Sequence, residues 1–303
     1  MNILITGGAG FIGSHTADIL LKNGYNVIIA DNLCSGKENN LNNSAKFYKV
    51  DISSPELEKI FIENKIDFVF HFAAQASVSV SNKNPLLDAE NNIMGSINLL
   101  SICKKYNVKK FIAASTAAVY GFPEYLPVDE NHKTECLSFY GLSKLTMENY
   151  IKLFGIDYII FRYANVYGPR QLPHGEAGVI SIFLDKIINN KPLEIHSNGN
   201  QTRDFVSVTD IAKVNLLAIE KTDIKNKTIN VSTNTRISIN DLFNTLKSYT
   251  DYNIEPVYTQ SREGDIEHSV LDNKLCKSLF DWKPEVSLQE GLKQLVDSCK
   301  NIN

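Results

Sequence analysis

Thr6-Gly7-Gly8-Ala9-Gly10-Phe11-Ile12-Gly13 stands between a short apolar run, Asn2 to Thr6, and a helical pattern from Phe11 to Asn23. That strand–turn–helix setting is what gives a glycine cluster meaning. Gly7 suits the tight turn, Gly10 lets backbone approach a pyrophosphate, and Gly13 lets the helix lie close to the sheet. The N–H groups that open the helix are offered to phosphates. The spacing is GxxGxxG, not the commoner GxGxxG. Alone, it also fits a glycine turn that binds nothing.

Outward from this turn the first half alternates. Apolar runs at Val27 to Ala30, Phe47 to Val50, Phe68 to Phe72, Lys110 to Ala114 and Tyr158 to Phe161 read as strands. Pro55 to Glu63, Asn91 to Tyr106 and Tyr140 to Phe154 read as helices. Strands separated by helices pair in parallel, because parallel neighbours need crossovers. The fold class expected is α/β: a doubly wound parallel sheet with a smaller C-terminal α/β lobe. In the second half Val179 to Asn189, Thr209 to Lys221 (Thr209 as N-cap), Ser238 to Tyr249 and Ser287 to Cys299 read as helices, with short strands at Leu193 to His196 and Asp204 to Val208. Residues 1–164 are expected to form the dinucleotide-binding domain and 165–303 mainly the substrate lobe, with segments around 203–232 returning to the first.

The bulk numbers exclude several classes. Of 303 residues, 43% are hydrophobic and 21% charged, the balance of an ordinary globular protein rather than a disordered one. A net charge of -3 provides no strong basic field for nucleic acid or an anionic membrane. No long apolar stretch reads as a membrane span, and the opening MNILITGGAG lacks the basic start and apolar run of a signal peptide. The five cysteines are scattered, with no CxxC, and the six histidines form no HxxxH. A reduced, cytoplasmic protein without a required metal is the expectation.

Asp31 closes the second strand. A carboxylate there accepts the adenosine-ribose hydroxyls and repels a 2′-phosphate, which favours NAD over NADP. A turn-forming Asp fits the same place. Asp51 ends the third strand and suits either the adenine amino group or the next turn. Tyr140 and Lys144 stand four residues apart, on one face of a helix. An ordinary tyrosine, with a pKa of about 10, is a poor base at neutral pH. A neighbouring ammonium favours the phenolate. A surface helix pair has the same spacing. Ser115-Thr116 follows the fifth strand at the carboxyl edge, where open α/β sheets bind ligands; a hydroxyl–backbone turn is the alternative there.

These pieces occur in one order: TGGAGFIGSH, Asp31-Asn32, His71-Phe72-Ala73-Ala74-Gln75, Ser115-Thr116 with Val119-Tyr120-Gly121, Tyr140 with Lys144, Arg162-Tyr163-Ala164-Asn165-Val166-Tyr167-Gly168-Pro169-Arg170, Arg203-Asp204-Phe205-Val206-Ser207-Val208-Thr209-Asp210, and Arg262-Glu263-Gly264-Asp265. The set covers nearly the whole chain and closely resembles the extended short-chain dehydrogenases/reductases acting on nucleotide sugars, the UDP-sugar 4-epimerases above all.

The resemblance implies that NAD lies against Gly7, Gly10, Phe11, Ile12, Gly13, Asp31, Asn32, Ser35, Gly36, Asp51, Ile52, Phe72, Ala73, Ala74, Gln75, Asn92, Tyr140, Lys144 and Tyr163. It makes Tyr140 the base, Lys144 its tuning partner, Thr116 the proton relay and Ser115 its neighbour. A UDP-sugar would contact Thr116, Tyr140, Asn165, Val179, His196, Arg203, Arg262, Asp265 and Ser269, with the arginines on the diphosphate, whose oxygens match their planar fork. Each arginine alone equally fits a surface salt bridge.

Dehydratase relatives carry Asp-Glu after the catalytic Thr, and decarboxylating relatives a Glu; here Ala117-Ala118 follow. Removal and return of one hydride at C4, through a 4-keto sugar and transient NADH, is the simplest chemistry left. Ser269 stands where many relatives have a bulky Tyr, which suggests room for UDP-GlcNAc and UDP-GalNAc beside UDP-Glc and UDP-Gal. Gln75 stands where some epimerases have Lys. Such relatives commonly pair as homodimers through two helices, here Asn91 to Tyr106 and Tyr140 to Phe154; their apolar spacing equally fits burial within one chain. Alternative readings are a UDP-glucuronate 4-epimerase, a 4,6-dehydratase, and a noncatalytic NAD-binding regulator, which would be expected to lack Tyr140 or Lys144.

Overall fold

The computed structural model describes residues 1–173, 178–261 and 264–300. Seven strands form one parallel sheet: β1 (Asn2–Thr6), β2 (Asn26–Asp31), β3 (Lys46–Lys49), β4 (Phe68–His71), β5 (Lys110–Thr116), β6 (Tyr158–Tyr163) and β11 (Lys227–Val231), in the spatial order β3-β2-β1-β4-β5-β6-β11. The order reverses between β1 and β4, and the crevice above their carboxyl ends is where such sheets take ligands. The doubly wound α/β class expected from the sequence is what the chain adopts.

Alternation along the strands explains the two layers. Ile3, Ile5, Val27, Ile29, Phe70, Ile159 and Phe161 face α1 (Phe11–Lys22) and α8 (Val208–Glu220). Leu4, Ile28, Val69, Phe111, Ala113 and Ile160 face the other side, where α2 (Glu58–Glu63), α5 (Gly95–Lys105) and α6 (Phe139–Phe154) pack through Ile60, Leu99, Leu100, Met147 and Ile151. A strand buried on both faces reads as a continuous apolar run, which is why these were legible.

A smaller core joins α7 (Val179–Ile188), α9 (Ile239–Ser248) and α11 (Leu288–Lys300) through Phe183, Leu242, Phe243 and Leu292. Its strands pair two by two: β7 (Asn165–Tyr167) with β10 (Phe205–Ser207), β8 (Glu194–His196) with β13 (Val257–Thr259), and β9 (Thr202–Arg203) with β12 (Ile237–Ser238). From the second half, β11 closes the edge of the large sheet, and α10 (Lys274–Phe280) lays Cys276 and Phe280 into the large domain's core.

Two local readings need correction. The helix expected to begin after Thr209 begins at Val208, because the Ser207 hydroxyl accepts from Thr209 N at 3.2 Å and is the N-cap. The span read as one helix from Asn91 opens instead with a π-helical turn, Glu90–Met94. Two short helices precede it, α3 (Val78–Lys83) and α4 (Pro85–Ala89), capped by Ser77 and Asn84. At six and five residues, each is too short to show a helical period.

Candidate active site

The glycine turn brings three backbone segments together. A Cβ on Gly13 would stand 2.2 Å from Gly7 O, so only glycine lets α1 start against this turn. The N-cap of α1 is Gly10, with no side chain capping it, and Gly10, Phe11, Ile12 and Gly13 line the cleft. An uncapped helix start facing a cleft is a phosphate site in form.

Asp31 lies on the cleft wall at the end of β2. Its carboxylate accepts from Ala9 N at 3.0 Å and Leu33 N at 2.8 Å, so it also ties the glycine turn to the loop after β2. An ionised carboxylate has about four acceptor sites, so capacity remains for a diol. Asp51 holds the next turn and also borders the cleft. It accepts from Ser53 N at 2.8 Å and from Asn32 Nδ2 at 2.6 Å. Burial works to raise its pKa, but the bonds from Ser53 and Asn32 win and hold it below the ordinary value. Asn32, Ser35, Ile52, Phe72, Ala73 and Ala74 complete this end. Glycine turn, free helix start and a carboxylate on the cleft wall together fit a dinucleotide.

Beneath the floor, His71 is fully buried. Ser96 Oγ donates to Asn92 O at 2.6 Å, so it accepts from His71 Nε2–H at 2.8 Å, and Nδ1 accepts from Thr6 Oγ1 at 2.8 Å. Burial, then the Lys144 charge, pulls His71 down to about 3. It is a neutral strut.

At the other end α6 presents Tyr140 and Lys144 to the cleft beside Thr116. Ser138 caps α6, its hydroxyl accepting from Gly141 N at 3.1 Å. Gly141 brings α6 against the turn after β5, where a Cβ would stand 2.7 Å from Ala118 O. Thr116 Oγ1 accepts from Ala118 N at 3.1 Å, which fixes the oxygen and leaves its proton to donate. A phenol, an ammonium and an oriented hydroxyl lining one cleft can move a proton to or from a sugar oxygen.

Residues 3–232 match the model of the NAD dependent epimerase/dehydratase family. The chain belongs to that family. It is 48% identical over 306 residues to a Methanocaldococcus jannaschii protein provisionally named UDP-glucose 4-epimerase, with 99% of each covered. The UDP-glucose 4-epimerase of Thermotoga maritima, solved with UDP-glucose, is 46% identical and has a TM-score of 0.96, with 100% of this chain and 99% of that one covered. The UDP-N-acetylglucosamine 4-epimerase of Methanobrevibacter ruminantium, solved with UDP-N-acetylmuramic acid, is 38% identical with a TM-score of 0.93, covering 100% and 99%.

Within this epimerase/dehydratase site several expected residues land elsewhere. Ser115 borders the cleft, but its hydroxyl donates to Glu148 at 2.5 Å, away from Thr116's role. Asn92 is buried behind the wall: it accepts from Gln75 N at 2.8 Å and donates to Gln75 O at 2.8 Å and Ser143 Oγ at 3.0 Å. The π turn gives the wall position to Asn91 instead. Gln75 turns from the cleft because its amide donates to Asp88 at 2.7 Å and accepts from Ser77 N at 2.6 Å. Gly36 packs behind the wall, where a Cβ would stand 3.0 Å from Asp31 Oδ1. Tyr163 borders the cleft, while its hydroxyl donates inward to Asn215 at 2.8 Å; burial raises its pKa.

From the smaller lobe, Asn165 and Val179 line the cleft, with Tyr167, Gln171, Ile180 and Phe205, which sequence reasoning passed over. His196, Arg203, Asp265 and Ser269 are not among the residues that line it. Arg203 donates to Asp265 at 2.5 Å, Ser269 N to Thr202 O at 3.1 Å, and Gln201 Nε2 to His196 O at 2.8 Å. Burial lowers the Arg203 pKa, opposed by Asp265. Arg262 lies outside the described residues.

Proposed function

We propose that the chain is an NAD-dependent UDP-sugar 4-epimerase that interconverts UDP-glucose with UDP-galactose and, because Ser269 is small, UDP-GlcNAc with UDP-GalNAc. One observation carries this reading: Tyr140, Lys144 and Thr116 share a cleft with the glycine turn, and the positions after Thr116 that would hold acids for elimination are Ala117 and Ala118. The acid that α6 does bring to this edge, Glu148, is engaged by Arg162 and Ser115.

Tyr140 takes the proton from the sugar 4-hydroxyl and gives it back, with Thr116 passing or orienting that proton. Lys144 holds the nicotinamide ribose and favours the phenolate. When bound, NAD serves as acceptor and donor of the C4 hydride. Arg203, braced by Asp265, grips the diphosphate, so that the 4-keto sugar can turn over and present its other face. Incubating purified protein with UDP-galactose and, separately, UDP-GalNAc, then separating and weighing the products, tests this. An isomer of unchanged mass is expected. A lighter product, or no conversion, would remove the reading.

Two further parts belong to the same proposal. Two copies pair through the exposed stripe of Met94, Leu142, Tyr150 and Leu153, which are 59%, 51%, 37% and 81% exposed. Light scattering is expected to show a dimer, and a monomer for Leu153→Glu; an unchanged mass in that variant counts against this surface. The compartment is the cytoplasm, where the buried thiols of Cys103 and Cys276 and the exposed one of Cys34 stay reduced. Fractionation of the source cells checks that.

A further inference from the structure

A buried polar network joins three elements at the carboxyl edge of the sheet. Glu148 is 0% exposed and Arg162 5%. Arg162 Nε and Nη2 meet the two carboxylate oxygens at 2.9 and 2.6 Å. Ser115 Oγ donates to the same Oε1 at 2.5 Å. On its other side the Arg162 guanidinium lies 4.8 Å from the centre of the Tyr120 ring, and Tyr120 donates to Asn230 on β11 at 2.7 Å. Burial opposes the Arg162 charge, yet Glu148 outweighs it and keeps that pKa above the ordinary value, while burial pushes Tyr120 up to about 12.

A buried ion pair is weak evidence for stability, since well-packed apolar side chains often serve as well. Its placement here has another consequence. Tyr140, Lys144 and Glu148 follow one another at four-residue steps along one face of α6. Segment 115–120, which contains Thr116, is held on the same pair at both ends: Ser115 on Glu148 and Tyr120 on Arg162. Rolling or sliding α6 against β5 would break the Ser115–Glu148 bond.

We propose that Ser115, Glu148 and Arg162 are positioning residues that fix the Thr116 hydroxyl against the Tyr140 phenol; the inference rests on the 4-epimerase reading above. A misplacement of about 1 Å costs on the order of 10²-fold in rate. Loss of the single Ser115 bond is therefore expected to lower kcat roughly 10-fold, leaving KM for UDP-galactose within about twofold. Ser115→Thr, which keeps the hydroxyl, restores kcat. Ser115→Ala placed on Glu148→Ala adds nothing to the loss of Glu148→Ala alone, because that variant leaves Ser115 no carboxylate to act through. If Glu148→Ala does not fold, the Ser115→Ala and Ser115→Thr pair carries the test.

The experiment is steady-state turnover of UDP-galactose by wild type and these variants. An unchanged kcat in Ser115→Ala, a loss confined to KM, failure of Ser115→Thr to restore turnover, or additive losses in the double variant each overturns the inference. A folded wild type that converts no UDP-sugar overturns the functional reading instead, and this inference with it.

Discussion

Lys110 and Ser115 stand near opposite ends of one strand, β5, and each meets a buried charge in a different way. At the amino edge Lys110 is 3% exposed, its ammonium donating to the carbonyls of Ala218, Lys221, Thr222 and Ile224 at 3.2, 3.3, 3.4 and 2.9 Å. These carbonyls belong to the carboxyl end of α8 and its exit, where a helix favours a cation. Lys110 is not among the described residues that line the cleft. At the carboxyl edge the Glu148–Arg162 pair touches Ser115, which borders the cleft. The same device, a desolvated charge satisfied on several sides, closes the fold at one edge and aims reacting groups at the other.

The comparison separates activity from stability, and substitutions can break that separation. Tyr140→Phe should lower turnover roughly 10²–10⁴-fold while leaving NAD binding and melting temperature near wild type. Retained turnover would remove Tyr140 from the chemistry.

His71 belongs to the carboxyl edge yet should report as a stability element. Unfolded, its imidazole takes a proton near 6.5; folded, only at about 3. Its contribution is therefore whole above pH 6.5 and is lost as pH falls towards 3, on the order of 5 kcal/mol in full. The pH dependence of unfolding in wild type should exceed that in His71→Gln over this window. Identical slopes would show that the imidazole is not held neutral.

Lys110→Met should cost roughly 2–4 kcal/mol by leaving buried carbonyls unpaired, with kcat unchanged, as read by denaturant unfolding and turnover. A fall in kcat would mean that the two edges are not independent. The smallest effect expected is Asp31→Asn, which should shift preference from NAD towards NADP by about 10-fold in a binding titration; an unchanged ratio would leave Asp31 only its bonds to Ala9 and Leu33.

Residues that act through local pattern were legible. The glycine turn, Asp31 and the Tyr140–Lys144 step are short-range features, and the six first-half strands are apolar runs. Residues that act through long-range packing were not. Strand β11, Lys-Thr-Ile-Asn-Val, hides behind Thr228 and Asn230, and Asn230 is there to receive Tyr120. Ser115 and Thr116 adjoin in sequence, but neighbouring strand residues face opposite sides, and Ser115 turns to Glu148. That rule, with an acid one turn beyond Lys144 and an arginine inside the run Ile159-Ile160-Phe161-Arg162, was the available signal for Glu148 and Arg162: charges at apolar positions need partners. The π turn, which puts Asn91 on the wall and Asn92 behind it, has no short-range signature.

The most direct test uses UDP-galactose carrying deuterium at C4 of the sugar, incubated with the NAD-loaded protein in ordinary water. Epimerisation by removal and return of the same hydrogen should yield UDP-glucose of unchanged mass with deuterium still at C4. A product that has lost the label to solvent, or has lost water, would contradict 4-epimerisation at this site.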